Sequence, residues 1–166
     1  MTWRDTARAW IPPSPNLPRI EGVDVYCGQV LLEGTNLSEG RGTTTPFEVC
    51  GAPFVDPHRL CDALAEQALP GVVFRPVRFE PTFQKWHGQS CGGVFLHVTD
   101  RAAFRPYRTT VTLLWLVRKL WPSAFAWRQP PYEYEAVKLP IDILTGGTSV
   151  REAIDGQHDL AHVLSS

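Results

Sequence analysis

The feature that most constrains the fold is a glycine- and hydroxyl-rich stretch at residues 31–46, LLEGTNLSEGRGTTTP. Three glycines, five serine or threonine residues and one asparagine crowd into it. Helices and core strands both disfavour that density of such residues, so the stretch predicts an ordered polar loop. Gly40 and Gly42 would let its backbone turn tightly or approach a ligand closely. We expect the rest of the chain to be organised around this loop.

Three charged side chains in the loop are the first candidates for a functional site. Glu33 and Glu39 supply carboxylates, and Arg41 offers a rigid fork of donors that suits a carboxylate. A structural turn in which Arg41 simply pairs with Glu39 explains the spacing equally well, because polar glycine-rich loops are common. We predict that these three side chains and Asn36 converge on one cleft.

Residues 33–43, EGTNLSEGRGT, resemble the signature of a bacterial family that was first catalogued as a domain of unknown function. That family includes exo-β-N-acetylmuramidases of the NamZ type. Further segments are similar to the family in the same order along the chain: WIPPSPNLP at 10–18, PFEVCGAP at 46–53, FEPTF at 79–83, LHVTDR at 96–101 and IDILTG at 141–146. The resemblance therefore spans nearly the whole chain.

The resemblance implies a function and a domain organisation. NamZ-type members are glycoside hydrolases that trim N-acetylmuramic acid from peptidoglycan fragments, which suggests the bacterial periplasm or secretion. The family resemblance implies a protein of two domains, and this chain resembles the C-terminal half of that protein. The N-terminal half is a Rossmann-like domain with a Pro-Glu-His-Gly motif, and no such motif precedes Trp3. We therefore expect a proline-rich segment at 1–19, a C-terminal domain at 20–166, and a Rossmann-like partner domain in cis or in trans.

The resemblance also suggests which residues form the sugar site. Glycoside hydrolysis commonly needs two carboxyl groups, and Glu33 and Glu39 are the predicted catalytic pair. An arginine beside Glu39 favours its ionised form, which suits a base, a nucleophile or a ligand anchor better than an acid. Which carboxyl is the acid, whether the absent domain supplies it, and whether the reaction retains or inverts stay open. The predicted substrate-binding residues are Asn36, Ser38, Arg41, Thr43, Trp86 and His97.

Three of these binding residues have a specific chemical rationale. Arg41 suits the lactyl carboxylate of a muramic sugar. Trp86, in a polar loop at 84–93, would stack on a sugar face, although it could equally cover the surface without a ligand. His97 would contact a ligand from a strand, although a hydrogen-bonded structural histidine explains it more simply.

Composition argues against several other classes of function. The chain has 166 residues, 43% of them hydrophobic and 20% charged, which is ordinary for one globular domain. Its net charge of −1 gives no support for nucleic-acid binding. No apolar run reaches the ~20 residues of a membrane span. The sequence contains no metal-ligand cluster, phosphate loop or Ser-His-Asp arrangement, so we expect neither a metal nor a cofactor.

The N-terminus and the cysteines bear on the compartment. Residues 1–20 lack a basic segment followed by an apolar one, so no signal peptide is predicted. Either the chain is cytoplasmic or it is part of a longer protein whose N-terminus holds the signal. The four cysteines include no Cys-x-x-Cys pair, and a domain of this size needs no disulfide. Free and mostly buried thiols are therefore expected.

Hydrophobic periodicity predicts the main helices. An amphipathic helix is expected at 57–69, where Asp56 is the predicted N-cap, and the most strongly apolar helix is expected at 109–121. Residues 20–32 fit a helix or a strand by pattern alone. The family resemblance favours a helix there, one that leads into the polar loop.

Alternating apolar residues predict the strands. Residues 72–83 and 92–99 form a predicted antiparallel hairpin with a long polar tip, and residues 47–55 form a short apolar strand. Pro76 lies inside the first strand of the hairpin, which argues for an edge position or a bulge. We predict an α+β fold: a single domain in which a small, mostly antiparallel sheet packs against helices.

Two functional hypotheses from different classes follow. In the first, the chain contributes one wall of the sugar site of an exo-muramidase that releases N-acetylmuramic acid from the non-reducing end of peptidoglycan fragments. In the second, it is a stand-alone, non-catalytic module that binds a muropeptide or amino-sugar ligand, or packs against a separate partner chain. A longer upstream reading frame with a Pro-Glu-His-Gly motif would favour the first hypothesis.

Overall fold

Short antiparallel strands and mostly short helices alternate along the chain. The computed structural model describes residues 3–156 and 159–165. After a 3-10 turn at Trp3–Thr6, the described elements are α1 (Ile20–Gln29), which continues as a 3-10 turn at Val30–Gly34, β1 (Val49–Ala52), α2 (Pro57–Ala65), β2 (Val72–Phe79), β3 (Cys91–Val98), α3 (Pro106–Leu120), α4 (Pro140–Leu144), α5 (Ser149–Ile154) and α6 (Leu160–Ser165). None of the described helices is both long and apolar enough to cross a membrane.

The three strands form one antiparallel sheet in the order β1-β3-β2. β2 and β3 pair along their whole length, so the predicted hairpin is confirmed and residues 80–90 form its tip. β2 is an edge strand, which is where a residue such as Pro76 is tolerated inside a strand. Val94 and Leu96 of the central strand belong to the hydrophobic core that the sheet shares with the helices. The predicted α+β class is confirmed.

Helix α2 begins where its sequence predicts but ends earlier. The Asp56 carboxylate accepts a hydrogen bond from the backbone N of Arg59 (2.8 Å), and Pro57 occupies the first helical position. That hydrogen bond lowers the pKa of Asp56. The predicted end at residue 69 is wrong, because Ala68 adopts a positive φ of 48° through which no α-helix continues.

Helix α3 supplies much of the core and holds α1 against it. It begins at Pro106, earlier than predicted, because proline suits the first turn of a helix. The ambiguous segment at 20–32 is helical, as the family resemblance implies. Gln29 of α1 is fully buried and donates from its side-chain amide to Thr110 Oγ1 of α3 at 2.9 Å. This hydrogen bond between buried polar groups sets how α1 lies on α3.

The polar loop at 31–46 is anchored in the hydrophobic core rather than laid over the surface. Leu31, Leu32 and Leu37 are at most 2% exposed and belong to the core cluster. Burying one leucine side chain stabilises the fold by about 1.5–3 kcal/mol. The loop therefore buries its leucine side chains, which fixes the position of the charged residues between and after them.

The cysteines are free thiols, as predicted. Cys50 and Cys91 are buried, Cys61 is partly buried and Cys27 is exposed. Burial raises the pKa of Cys50 to about 12 and that of Cys91 to about 11. These two thiols remain protonated at neutral pH and behave as small apolar groups.

Candidate functional site

The polar loop at 31–46 folds against the tip of the β2-β3 hairpin. Gly40 and Gly42 adopt positive φ angles of 76° and 82°, which favours glycine at both turns. A Cβ atom on Gly42 would also lie 2.7 Å from the backbone nitrogens of Thr82 and Phe83. Thr82 donates to the Gly42 carbonyl from its backbone N (3.0 Å) and from its Oγ1 (2.8 Å). Two segments that are distant in sequence are thereby held side by side.

Arg41 connects the two predicted catalytic carboxylates. Its Nη2 donates to Glu33 Oε1, and its Nε lies 3.0 Å from Glu39 Oε1. The guanidinium also lies over the ring of the buried residue Phe47, 5.3 Å from the ring centroid. The structure thus brings Glu33, Glu39 and Arg41 together, and the arginine bridges both glutamates instead of pairing with Glu39 alone.

Lys85 brings a second cation to Glu39 from the hairpin tip. Its Nζ lies 3.0 Å from Glu39 Oε2 and donates to the carbonyl oxygens of Leu32 (2.8 Å) and Leu37 (2.9 Å). These contacts use all three donors of the ammonium group. Burial lowers the pKa of Lys85, and the carboxylate of Glu39 opposes that shift. Because the Glu39 side chain is only 4% exposed, its charge is balanced by these buried neighbours rather than by water.

Glu33, the other predicted catalytic carboxylate, has a neutral partner as well as a cation. Tyr132 Oη donates to Glu33 Oε2 at 2.8 Å. Burial and the contact with Glu33 raise the pKa of Tyr132. With 14% of its side chain exposed, Glu33 is the more accessible of the two glutamates.

Two adjoining pockets form an open groove over these side chains. The first, the ionic pocket, has a volume of about 250 Å³ and is lined by Glu33, Glu39, Arg41, Gln84, Lys85, Arg128, Tyr132 and Glu133. The second, the tryptophan pocket, has a volume of about 470 Å³ and is lined by Thr35, Asn36, Gln84, Lys85, Trp86 and Arg128. Gln84, Lys85 and Arg128 line both pockets, so the pockets are continuous.

Asn36 lies in the groove, but its side-chain amide is occupied by the backbone. Its Nδ2 donates to the Ala124 carbonyl (2.8 Å), and its Oδ1 accepts from the Ala126 backbone N (3.0 Å). The Asn36 carbonyl accepts from Trp86 Nε1 at 2.6 Å. Asn36 therefore supports the position of Trp86, whose side chain lines the tryptophan pocket.

Ser38 and Thr43 hold the loop together from within. Ser38 Oγ accepts from the Gly40 backbone N at 3.1 Å, and Thr43 Oγ1 donates to the Gly40 carbonyl at 2.6 Å. Local side-chain hydrogen bonds of this kind complete turns that the backbone alone leaves open. Neither residue is among those that line the two pockets.

The structure does not bring His97 to the groove. His97 lies on β3, six residues from the Cys91 end that leads into the hairpin tip, a distance of roughly 20 Å along a strand. Its ring stacks on Phe95 with centroids 4.4 Å apart, and its Nε2 accepts from Arg75 Nε at 3.4 Å. Partial burial and the charge of Arg75 lower the pKa of His97. These contacts match the structural role that was the simpler interpretation of its sequence position.

Six residues that line the groove are not among the predicted site residues: Thr35, Gln84, Lys85, Arg128, Tyr132 and Glu133. The last three lie in a proline- and aromatic-rich segment, 123–138, that has no periodicity to place it. Its position depends on tertiary contacts, such as the hydrogen bond from the Arg128 backbone N to the Gly34 carbonyl (2.9 Å). For Lys85, the available signal was its place in a long polar hairpin tip, because such tips often carry function.

Positive φ angles at non-glycine residues concentrate around the groove. Phe47 (65°), Gln84 (69°), Trp86 (61°) and Glu133 (50°) all have them, and all four line the groove or underlie Arg41. Such conformations cost about 1–3 kcal/mol each and persist only where the surroundings impose them, often at ligand-binding sites. The tertiary contacts around the groove therefore hold these four residues in conformations that they would not adopt by themselves.

The chemistry of the groove suits a hydroxylated, polar ligand. Carboxylates accept hydrogen bonds from sugar hydroxyls, cations attract an acidic substituent, and an indole face packs on a pyranose ring. In residues 3–156 and 159–165, no group of three or more His, Cys, Asp or Glu side chains is placed to hold a metal ion. The groups available to a ligand here are therefore carboxylates, cations, amides and aromatic rings.

Sequence comparison places the chain in one family. The family described as "Exo-beta-N-acetylmuramidase NamZ, C-terminal" matches residues 24–166. The chain belongs to this NamZ C-terminal family. It is 38% identical, over 166 residues, to peptidoglycan β-N-acetylmuramidase NamZ of Bacillus subtilis (strain 168). That alignment covers 100% of this chain and 38% of the relative, so the chain spans well under half of the length of the curated protein it matches. The family resemblance is confirmed.

Solved structures show the same fold as this NamZ C-terminal family member. A DUF1343 family protein from Bacteroides fragilis NCTC 9343 superposes with a TM-score of 0.79 at 25% identity, covering 95% of this chain and 40% of that one. A second DUF1343 family protein from the same strain superposes with a TM-score of 0.57 at 24% identity, covering 92% and 38%. The second likeness concerns the fold alone.

Proposed function

We propose that this chain forms one wall of the sugar site of a peptidoglycan exo-muramidase that releases N-acetylmuramic acid from the non-reducing end. The observation that carries the proposal is the Glu33–Arg41–Glu39 bridge, held by Lys85 on the floor of a preformed groove. Membership of the NamZ C-terminal family and the name of the Bacillus subtilis relative support the choice of substrate.

The contacts of the two glutamates suggest their roles. Glu39 lies against two cations and is buried, an arrangement that suits a base, a nucleophile or an anchor rather than a proton donor. Glu33 is more exposed, and both of its oxygens already have partners in Arg41 and Tyr132. A glycosidase commonly also needs a general acid. We propose that a Rossmann-like N-terminal domain, in cis or in trans, supplies it.

A second candidate is a non-catalytic module that binds muropeptides. The observation that favours it is that both oxygens of Glu39 lie 3.0 Å from cations, which leaves little room for a reacting atom beside them. A binding module would use the groove as a recognition surface and would need no second domain for chemistry.

Activity with and without an added N-terminal domain separates the two candidates. Removal of a general acid costs about 10²–10⁴-fold in rate, and loss of substrate positioning adds to that. The purified chain should release little or no N-acetylmuramic acid from a chromogenic muraminide, and adding an N-terminal Rossmann-like domain, fused or separate, should restore turnover.

Substitution of one glutamate then tests the site. Glu39→Gln should abolish the restored turnover, whereas Glu66→Gln, at an exposed position after α2, should leave it unchanged. Failure of any added domain to restore turnover, together with muropeptide binding by the chain alone, would favour the binding module. Robust hydrolysis by the chain alone would place both carboxyl groups of the reaction in this domain.

A further inference from the structure

Arg128 stands at the junction of the two pockets. It lines both the ionic pocket and the tryptophan pocket. Its backbone N donates to the Gly34 carbonyl at 2.9 Å, and the adjacent residue Trp127 forms a β-bridge with Thr35. Its guanidinium lies over the ring of Tyr132, 5.5 Å from the centroid. The backbone of this arginine is thus tied to the polar loop, and its side chain is positioned by an aromatic ring of the groove.

The charge of Arg128 is not neutralised as the other groove cations are. Arg41 is bound by Glu33 and Glu39, and Lys85 by Glu39. Within residues 3–156 and 159–165, Arg128 forms no ion pair with a carboxylate. Glu133 lines the same pocket and makes no ion pair with it either. Arg128 therefore presents an exposed set of hydrogen-bond donors, with a full positive charge, to the groove.

We infer that Arg128 binds a carboxylate of the ligand and makes the groove selective for an acidic amino sugar over a neutral one. This inference rests on the proposed function for the amino-sugar part of the ligand. The sequence analysis assigned the lactyl carboxylate of a muramic sugar to Arg41. In the structure Arg41 is engaged by two glutamates, and a carboxylate brought next to it would meet their negative charges. Arg128 lines the ionic pocket with those glutamates, but it also lines the tryptophan pocket, which has no carboxylate among its lining residues, and there it can offer a bidentate contact.

The shape of the groove is consistent with such a ligand. The tryptophan pocket, at about 470 Å³, falls within the range of small-molecule sites and has Trp86 on its wall. A pyranose ring against Trp86 would lie next to Arg128, because both residues line this pocket. An acidic substituent on the ring would then reach the guanidinium without entering the carboxylate-rich end of the groove.

Binding of matched sugars to the whole 166-residue chain tests the inference. The probes are N-acetylmuramic acid, its methyl ester and N-acetylglucosamine, titrated into ¹⁵N-labelled protein and followed by amide chemical shifts. The wild type should bind the acid roughly tenfold more tightly than the ester, since a charge-assisted hydrogen bond at an exposed site is worth about one factor of ten. Arg128→Gln should remove that preference, so that the acid and the ester bind with equal affinity. Arg128→Lys, which keeps the charge but not the fork, should retain part of the preference.

The control is Arg108→Gln, an exposed arginine of α3 that lines a different depression. It should keep the full preference for the acid. An unchanged amide spectrum away from the groove would show that each variant folds.

The outcomes separate this inference from the proposed function. If the wild type binds the acid and the ester equally, or if Arg128→Gln keeps the preference, the role of Arg128 is overturned while amino-sugar binding stands. If D-lactate perturbs the amides around Arg128 in the wild type but not in Arg128→Gln, and no sugar binds, the carboxylate site is supported and the proposed ligand is wrong. If none of the probes binds, both are overturned.

Discussion

Glu39 and Glu48 are two buried glutamates on either side of one turn, and they differ in the cations that surround them. The residues are 3% and 4% exposed. Glu39 lies 3.0 Å from Arg41 Nε and 3.0 Å from Lys85 Nζ, and those cations are themselves mostly buried. Glu48 has its ion pair with Arg19 at 3.6 Å, and the Arg19 side chain is 48% exposed. Burial raises the pKa of Glu48 despite that arginine.

The difference shows which contacts offset the cost of burying a carboxylate in this domain. Removing a carboxylate from water costs several kcal/mol, and only close, hydrogen-bonded cations offset it. At Glu39 the hairpin tip supplies a hydrogen-bonded cation, Lys85, and the polar loop supplies a second cation, Arg41, in an ion pair at 3.0 Å. At Glu48 the ion pair with Arg19 does not offset the cost of burial, so the carboxylate is a net cost at neutral pH. Glu39 thus has two close cations around it, whereas Glu48 has one more distant and more exposed cation.

The largest effect is expected from removing Lys85, the partly buried cation beside Glu39. Lys85→Met leaves the carbonyls of Leu32 and Leu37 without their donor and weakens the compensation of Glu39. We expect the free energy of unfolding to fall by about 3–5 kcal/mol, as when one partner of a buried ion pair is lost. Urea denaturation measures it. Lys138→Met, at an exposed position, is the control, and a loss at position 85 of less than ~1 kcal/mol would contradict the role given to Lys85.

Neutralising the carboxylate itself should have a somewhat smaller effect. Glu39→Gln keeps the shape of the side chain but leaves Lys85 buried without its counter-charge, and we expect a loss of about 3 kcal/mol in urea denaturation. Arg41 keeps its contact with Glu33, which limits the damage. The same substitution at Glu48 should not destabilise the protein. Equal losses at the two positions would show that their environments are equivalent and would remove the basis of the comparison.

Separating the loop from the hairpin tip tests whether the cation must come from a second segment. Gly42→Ala places a Cβ atom 2.7 Å from the backbone of the tip at a residue whose φ is 82°, and we expect a loss of about 2 kcal/mol in the free energy of unfolding. Gly146→Ala is the matched control, because its φ is also positive (79°) and a Cβ atom there meets nothing within 4 Å. If the two variants lose the same free energy of unfolding, the loop does not depend on its contact with the tip.

The smallest effect, and one of opposite sign, is expected at Glu48 and depends on pH. Its folded-state pKa lies above the ordinary value of 4.5, so the folded protein binds this proton more tightly than the unfolded chain does. The associated stability is present below pH 4.5 and is lost as the pH rises through the folded-state pKa. Glu48→Gln should therefore match the wild type in acid and be slightly more stable than the wild type at neutral pH. Urea denaturation at both pH values checks this, and a gain confined to acid would reverse the sign.

Features that depend on neighbours in sequence were the ones that could be predicted. The Asp56–Pro57 start of α2 needs only local capping chemistry, and the β2-β3 hairpin needs only alternation and a turn. The end of α2 was missed because Ala68 adopts a positive φ, which an alanine in the sequence does not predict. In the site, Glu33, Glu39 and Arg41 could be found since they lie within one motif. The positions of Tyr132 and Arg128 could not, because they reach the groove from a segment with no periodic pattern.

By itself, the sequence determined that the chain has an α+β fold, that a polar loop at 31–46 lies at its centre, and that two glutamates and an arginine of that loop are the chemical candidates. Tertiary structure alone decided which cations these glutamates meet, that His97 lies away from them, and that Arg128 lines the same pocket as the glutamates. The physical reason is distance along the chain. Propensity, capping and periodicity act within a few residues, whereas the balance of buried charge is set by groups that come together only when the hydrophobic core forms.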